Sequence, residues 1–310
     1  MKNGDEYAGD FLDDLFHGYS LYNYANGDTY CGDFLKGKRN GDGVLKVKST
    51  GQNFAGRFED DELVGGQVFC QDGEYLGTFA PKTRAFQGHG IMKFKSGDIY
   101  DGEWKDGLMH GQGCFVYGKI FADDSEEEEE SKETITSMFM GQFVEGKRKQ
   151  GTLTYENGDV YTGEFTEDGL RETGEIKFMN GDEFAGLFED GAIKCGIMTF
   201  KSGDVYSGEF KDSMFDGSGK MIYANGDEFS GEFKAGAKHG SGQLVLAIKD
   251  SEAAGGDAED RNMGIYIGEF FEDEMHGNGT FTFKDGSEYI GRFQKGLQHG
   301  QGMLILKDGT

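Results

Sequence analysis

Along this chain apolar and polar residues alternate in short runs, and the alternation restarts at nearly regular intervals. Each restart is an aromatic residue, then Gly at +2, then a second aromatic at +4. The opening aromatic stands at Tyr7, Tyr30, Phe54, Tyr75, Tyr100, Phe139, Tyr161, Phe184, Tyr206, Phe229, Tyr266 and Tyr289. Nine of the eleven steps between these openings lie within two residues of 23. Residues +0, +2 and +4 share one face of an extended chain, so two rings flank a bare Gly. A bare Gly leaves room for a ring of the next unit to lie against the backbone. The +3 position faces the other way and is acidic at Asp10, Asp33, Glu103, Glu164, Glu209, Glu232 and Glu269. Such alternation predicts a sheet with one wet face.

The second half of each unit follows a Gly-x-Gly and alternates again, as in Met221-Ile222-Tyr223 and Phe281-Thr282-Phe283. Turn signals come next: Asn26-Gly27-Asp28, Asn157-Gly158-Asp159, Asn180-Gly181-Asp182, Asn225-Gly226-Asp227 and Asp285-Gly286-Ser287. Asn-Gly and Asp-Gly between alternating runs predict hairpins, because both residues tolerate positive φ. The expected fold is all-β: an elongated, single-layer antiparallel meander of β-hairpin repeats. Strands about 4.8 Å apart, two per unit, give roughly 9.6 Å per repeat and on the order of 115 Å for twelve. In such an array stability comes mainly from neighbouring units.

The repeat pattern, Tyr-x-Gly-x-Phe/Trp followed by a Gly-containing turn and Gly-x-Gly with Asn-Gly-Asp turns, resembles the MORN repeat over about residues 3 to 308. The resemblance implies a long twisted sheet with a groove on one face. It also implies a scaffold, often of cytoskeletal structures such as radial spokes of cilia or basal and budding complexes of protists. Five units are expected over 3–117, an acidic insertion over 118–137, five units over 138–246, a polar insertion over 247–263 and two units over 264–308.

Charge narrows the partners. The chain has 31 basic against 57 acidic side chains, a formal −26. That balance repels nucleic acid and anionic bilayers, so nucleic acid is excluded as a partner class and membrane attachment is disfavoured. The alternative, a phosphoinositide tether suggested by the resemblance, would use local basic spots such as Lys36-Gly37-Lys38-Arg39 and Lys147-Arg148-Lys149. Cys31, Cys70, Cys114 and Cys195 have no paired spacing, which argues against zinc and a disulfide framework and fits a reducing, cytoplasmic compartment. No secretory signal and no apolar run of about 20 residues is apparent.

Candidate chemistry dissolves into the repeat. His17, His110, His239, His276 and His299 fall at +10, where a ladder could bind metal, but other units place Asn40 and Asp216 there. A structural role at the turn before Gly-x-Gly is the better reading. Gly32 to Arg39 and Gly141 to Arg148 approach a phosphate-binding loop but lack its final hydroxyl and its helix. The carboxylates follow no calcium-loop spacing. No catalytic residue, cofactor or metal is expected.

The aromatic face remains as a seat for a partner helix or extended segment, because a single layer cannot cover both its faces. Its candidate lining is Tyr100, Trp104, Tyr161, Phe165, Tyr206, Phe210, Tyr266, Phe270, Tyr289 and Phe293. A second candidate is an acidic docking loop, Glu126, Glu127, Glu128, Glu129 and Glu130. The terminal strands, 3–11 and 300–306, are open edges suited to pairing with a second copy. Together these features suggest a non-enzymatic protein-binding scaffold; that it serves a cytoskeletal assembly, with the ciliary axoneme as one specific case, is what the resemblance implies.

Overall fold

The computed structural model describes residues 4–118, 137–247 and 264–307. The insertions, including Glu126 to Glu130, lie outside the described residues except at their flanks. Contacts divide the chain into two compact units, Met1–Gly158 with Glu167–Gly169, and Asp159–Thr166 with Leu170–Thr310. Among the described residues every regular element is a strand.

The first unit holds β1 (Glu6–Leu12), β2 (Leu15–Asn23), β3 (Thr29–Leu35), β4 (Lys38–Val47), β5 (Gln52–Glu59), β6 (Glu62–Phe69), β7 (Gly73–Phe79), β8 (Phe86–Phe94), β9 (Ile99–Lys105), β10 (Leu108–Val116), β11 (Met138–Val144) and β12 (Lys147–Thr154). The second holds β13 (Val160–Phe165), β14 (Arg171–Lys177), β15 (Glu183–Glu189), β16 (Ala192–Thr199), β17 (Val205–Lys211), β18 (Met214–Ile222), β19 (Glu228–Lys234), β20 (Ala237–Val245), β21 (Gly264–Phe271), β22 (Glu274–Phe283), β23 (Glu288–Gln294) and β24 (Leu297–Ile305). Within each unit every strand pairs antiparallel with its neighbours in sequence, giving a single-layer meander.

Register puts glycine opposite glycine. In the second unit Gly208 faces Gly196 on one side and Gly219 on the other, and Gly219 faces Gly231. The first unit repeats this through Gly90, Gly102, Gly113 and Gly141. A file of glycines therefore crosses the strands, and the opening ring of each repeat lies upon it. A Cβ on Gly208 would stand 2.5 Å from Tyr206 Oη and 2.7 Å from Gly219 Cα. The spacing alone predicts a ring of the next unit in that space. Instead the unit's own ring fills it, because +0 and +2 are adjacent on one face and the ring folds back along its own strand.

The ring's far end is tied down. The hydroxyls of Tyr100, Tyr161, Tyr206 and Tyr266 donate to the backbone carbonyls of Glu103, Glu164, Glu209 and Glu269 at 2.8, 2.6, 2.9 and 2.9 Å. The +4 ring meets it edge-on, and so does the +4 ring of the next repeat. Tyr206 contacts Phe210 with 5.1 Å between centroids at 83°, and Phe233 at 5.1 Å and 89°. Such edge-to-face pairs add about 0.5–1.5 kcal/mol beyond burial. The chain of rings forms the core, confined to one face of the sheet.

Two kinds of turn connect the strands. Inside a repeat, two residues suffice, as at Lys36 (φ 52°) and Gly37 (φ 83°), both in the left-handed region that a right-twisted hairpin favours. Between repeats, the Asn-Gly-Asp segment forms a wider turn. Tyr24 N–H donates to Asp28 O at 2.9 Å, and Asp28 N–H to Asn26 Oδ1 at 2.9 Å. Asn26 thus serves through its side-chain amide rather than by adopting positive φ. The first insertion is fastened at its base, where Tyr117 N–H donates to Ser137 O at 2.9 Å and Gly118 N–H to Asp98 Oδ1 at 2.9 Å.

Gly208→Ala should lower unfolding free energy by about 2–3 kcal/mol, since neither the facing backbone nor the buried ring can give way cheaply. Tyr206→Phe should cost about 1 kcal/mol, the value of one neutral hydrogen bond. Urea melts of both variants check the order. Alkaline stability gives a second expectation. Burial pushes the phenols of Tyr75, Tyr206 and Tyr266 up to about 12, and those of Tyr30 and Tyr100 higher still. With folded values above the unfolded value of about 10, their contribution is intact below that pH and is lost as pH rises through about 12. The share of tyrosinate absorbance that belongs to these buried phenols should therefore appear together with loss of the sheet signal in circular dichroism, not before it.

Candidate partner-binding surfaces

Above the ring core lies the surface a partner would meet on that face. All ten rings named as the candidate lining are core residues. Tyr100, Tyr161, Tyr206 and Tyr266 are 0% exposed, and even Phe210 and Tyr289 reach only 8%. They form the floor of the face. Its accessible layer comes from positions the spacing rule passes over. One row comes from the start of the second strand of each repeat: Phe16, Phe86 and Met109 in the first unit, Phe215 and Met275 in the second. The other stands where that strand enters its turn: Tyr24, Phe94, Tyr117 and Tyr155 in the first unit, Phe178, Phe200, Tyr223 and Phe283 in the second. All are half-buried.

The first row also carries cations, and the reason is visible in the stacking. Phe215 lies flat on Tyr206 with 4.0 Å between centroids, and Phe86 on Tyr75 at 3.9 Å. In other repeats a guanidinium does this work. Arg39 sits 5.6 Å from the centroid of its own opening ring, Tyr30, and Arg148 5.7 Å from that of Phe139, while Arg39 also lies 5.3 Å from Phe58 and Arg171 5.0 Å from Phe188, second rings of the following repeats. A planar cation over a ring face is held by the ring's quadrupole. Its remaining N–H groups reach the next repeat. Arg39 Nη2 donates to Asp61 O at 2.6 Å, Arg148 Nη2 to Gly169 O at 3.0 Å, and Arg171 Nε and Nη2 to Gly191 O at 3.1 and 2.6 Å. Arg39 and Arg148 belong to the two basic spots that suggested anionic headgroups. Both are engaged in holding repeats together.

Aspartates do the same at the opposite ends of the strands. Asp204 Oδ1 accepts the Ala224 N–H at 2.7 Å, Asp182 Oδ1 that of Lys201 at 2.9 Å, and Asp28 Oδ1 that of Lys48 at 2.9 Å. Each bond ties one turn to the corresponding turn of the following repeat. The recurrent histidines sit at the bulge before Gly-x-Gly, and it is their main chain that serves: Tyr100 Oη also donates to His110 O at 3.3 Å and Tyr266 Oη to His276 O at 3.1 Å. The +3 carboxylate cups the bulge, Glu103 Oε1 accepting Gln112 N–H at 3.0 Å. Among the described residues no group of three His, Cys, Asp or Glu side chains is placed to hold a metal ion. No described helix is long and apolar enough to cross a membrane.

The terminal strands differ from the interior ones. Every residue of β24 is exposed, with Leu297 at 72% and Leu304 at 55%. Beside it opens a groove of about 1120 Å³, lined among others by Met275, Phe281, Phe283, Phe293, Leu304 and Leu306. In β1, Phe11 is 61% exposed.

The family model described as "MORN repeat" matches residues 7–29, 30–46, 85–99, 100–119, 139–160, 206–228, 229–250, 266–288 and 289–310, well over half of the chain. The hairpins that open at Phe54, Tyr161 and Phe184 lie outside those segments. Alsin from Rattus norvegicus and from Homo sapiens is 27% identical over 150 residues, which is 45% of this chain and 8% of the Alsin length. The matched stretch is thus under a tenth of those relatives. Among solved structures, the TCP domain of Drosophila melanogaster SAS-4, in complex with a proline-rich motif of Ana2, aligns at TM-score 0.34 and 12% identity, covering 61% of this chain and 95% of that one. The TCP10 domain of Danio rerio CPAP aligns at TM-score 0.19 and 8% identity, covering 94% and 91%.

The turn-to-turn bonds generate a direct check. Asp204→Ala should cost about 1–2 kcal/mol by leaving the Ala224 amide without its carboxylate acceptor. Hydrogen exchange should quicken at Ala224 and its turn ahead of the ring core.

Proposed function

The chain belongs to the MORN repeat family, and from that premise we propose that it is a non-enzymatic scaffold holding other proteins within a cytoskeletal assembly, the ciliary axoneme being the specific case. In this reading all twelve hairpins, including those at Phe54, Tyr161 and Phe184, are units of the same repeat. MORN repeats act as platforms for proteins or membranes. The observation that carries the protein-binding choice is the accessible layer over the ring core. It is a recurring set of half-buried aromatic and aliphatic groups, and its guanidinium groups are already committed to rings and turn carbonyls. Anchors of this kind suit protein partners. A phosphoinositide headgroup needs uncommitted cations, and a formal charge of −26 works against it.

The reading places the protein in the cytoplasm, on cytoskeletal structures. Self-association through the exposed strand β24 is part of it, since an exposed apolar edge is a template for pairing.

Proximity labelling from the tagged full chain in its native cell, before and after detergent extraction, tests this. Labelling of axonemal, basal-body or other cytoskeletal proteins that survives detergent is the expected result. Signal lost on extraction, with lipid-associated neighbours labelled instead, overturns it in favour of a membrane tether.

A further inference from the structure

Among the described residues, the face opposite the rings carries no second layer. There the residues at +1 and their cross-strand partners form a file of their own. Across β1–β5 it runs Ala8, Leu21, Cys31, Val44, Ala55, each opposite the next in the register. No polar side chain interrupts it, and Leu21 and Val44 are 42% and 36% exposed. The sheet does not require this. Across β17–β20 the same file reads Ser207, Lys220, Ser230, Gln243 in strands paired just as fully. Apolar side chains kept in water where polar ones fold equally well call for a partner.

The relief of the file selects the partner's shape. Small residues on β1, β3 and β5 alternate with Leu21 and Val44, so hollows recur every ~9.6 Å across the strands. Two turns of α-helix, seven residues, advance about 10.5 Å and keep side chains on one face. An extended segment laid the same way presents same-face residues about 6.6 Å apart and misses the hollows. The ring of Tyr19, 68% exposed with its hydroxyl 3.2 Å from Cys31 Sγ, borders the middle one.

Charge selects the partner's flank. The neighbouring file on the same face holds Asp10, Asp33 and Asp42. None of the three forms an ion pair among the described residues, and Arg57, opposite Asp42, turns instead to Glu59 at 3.3 Å. We propose that the bare face of β1–β5 seats a basic amphipathic helix of a partner protein, with apolar side chains at i, i+7 and i+14 in the hollows at Ala8, Cys31 and Ala55, and a Lys/Arg flank against Asp10, Asp33 and Asp42. The proposal rests on the scaffold reading and adds to it a location and a partner chemistry.

The test is a displayed library of helical peptides about fifteen residues long, selected against the full chain. Enriched peptides are then titrated against two variants, Leu21→Asp with Val44→Asp, and Asp33→Asn with Asp42→Asn. The expected peptides are basic, with large apolar residues seven apart. The first variant should weaken their binding by about tenfold or more, and the second should weaken it and flatten its salt dependence. Circular dichroism verifies that both variants fold. If the first does not, the second, which removes no apolar contact, decides. Enriched peptides without basic bias, binding indifferent to these substitutions, or no enrichment at all overturns the helix seat. Binders that ignore both variants remove this seat yet leave the scaffold reading intact, whereas failed cytoskeletal labelling removes the scaffold reading whatever the peptides do.

Discussion

A ring lying on a file of glycines is the contact on which the rest of this protein depends. A lone β-layer has no second layer to bury its apolar face, so it must make depth from within. Here the missing Cβ atoms of Gly208 and Gly219 supply that depth, and Tyr206 occupies it completely. The hydroxyl then closes on Glu209 O, which leaves the phenol's one strong donor satisfied in the interior. With the first ring flat against the backbone, the second stands upright beside it, and the next repeat's upright ring meets that same first ring edge-on. Packing, spacing and the direction of growth all follow from that arrangement.

The same arrangement divides labour between the two faces. On the ring side, guanidinium groups are spent on joining repeats, in a protein whose charge is overwhelmingly negative. On the other side the carboxylates of Asp33 and Asp42 stand beside bare aliphatic groups, an environment that favours a cationic, amphipathic neighbour. The two faces therefore offer different chemistry, one aromatic with its guanidinium groups already engaged, the other apolar with Asp33 and Asp42 in no ion pair among the described residues.

Much of this was legible in sequence because the repeat superimposes twelve observations of one rule. Ring, Gly, ring at +0, +2 and +4 fixed the strands, their facing and the meander. What spacing could not show was whether Tyr100 and its counterparts line a surface or a core. That depends on whether the ring turns back onto its own Gly pair, a choice made in χ angles and not in periodicity. Arg171 and Asp204 were unreadable for another reason. Their partners, Gly191 O and Ala224 N–H, belong to the next repeat and are backbone atoms, so no residue type marks them. The histidines kept their recurrent place, but it is the carbonyls of His110 and His276 that the tyrosines use. Glu126 to Glu130 lie outside the described residues, and their candidate role rests on sequence alone.

The fastening of the first insertion has a thermodynamic consequence. Tyr117 and Ser137 are joined by a backbone hydrogen bond, and Asp98 holds Gly118 as the corresponding aspartates hold the turns between repeats elsewhere. The sheet has therefore already closed the ends before any intervening residue is counted. Under that boundary condition the entropy of closure grows only as the logarithm of length, about 0.6 kcal/mol per doubling. A change of chain length at this connection would therefore cost the fold little stability.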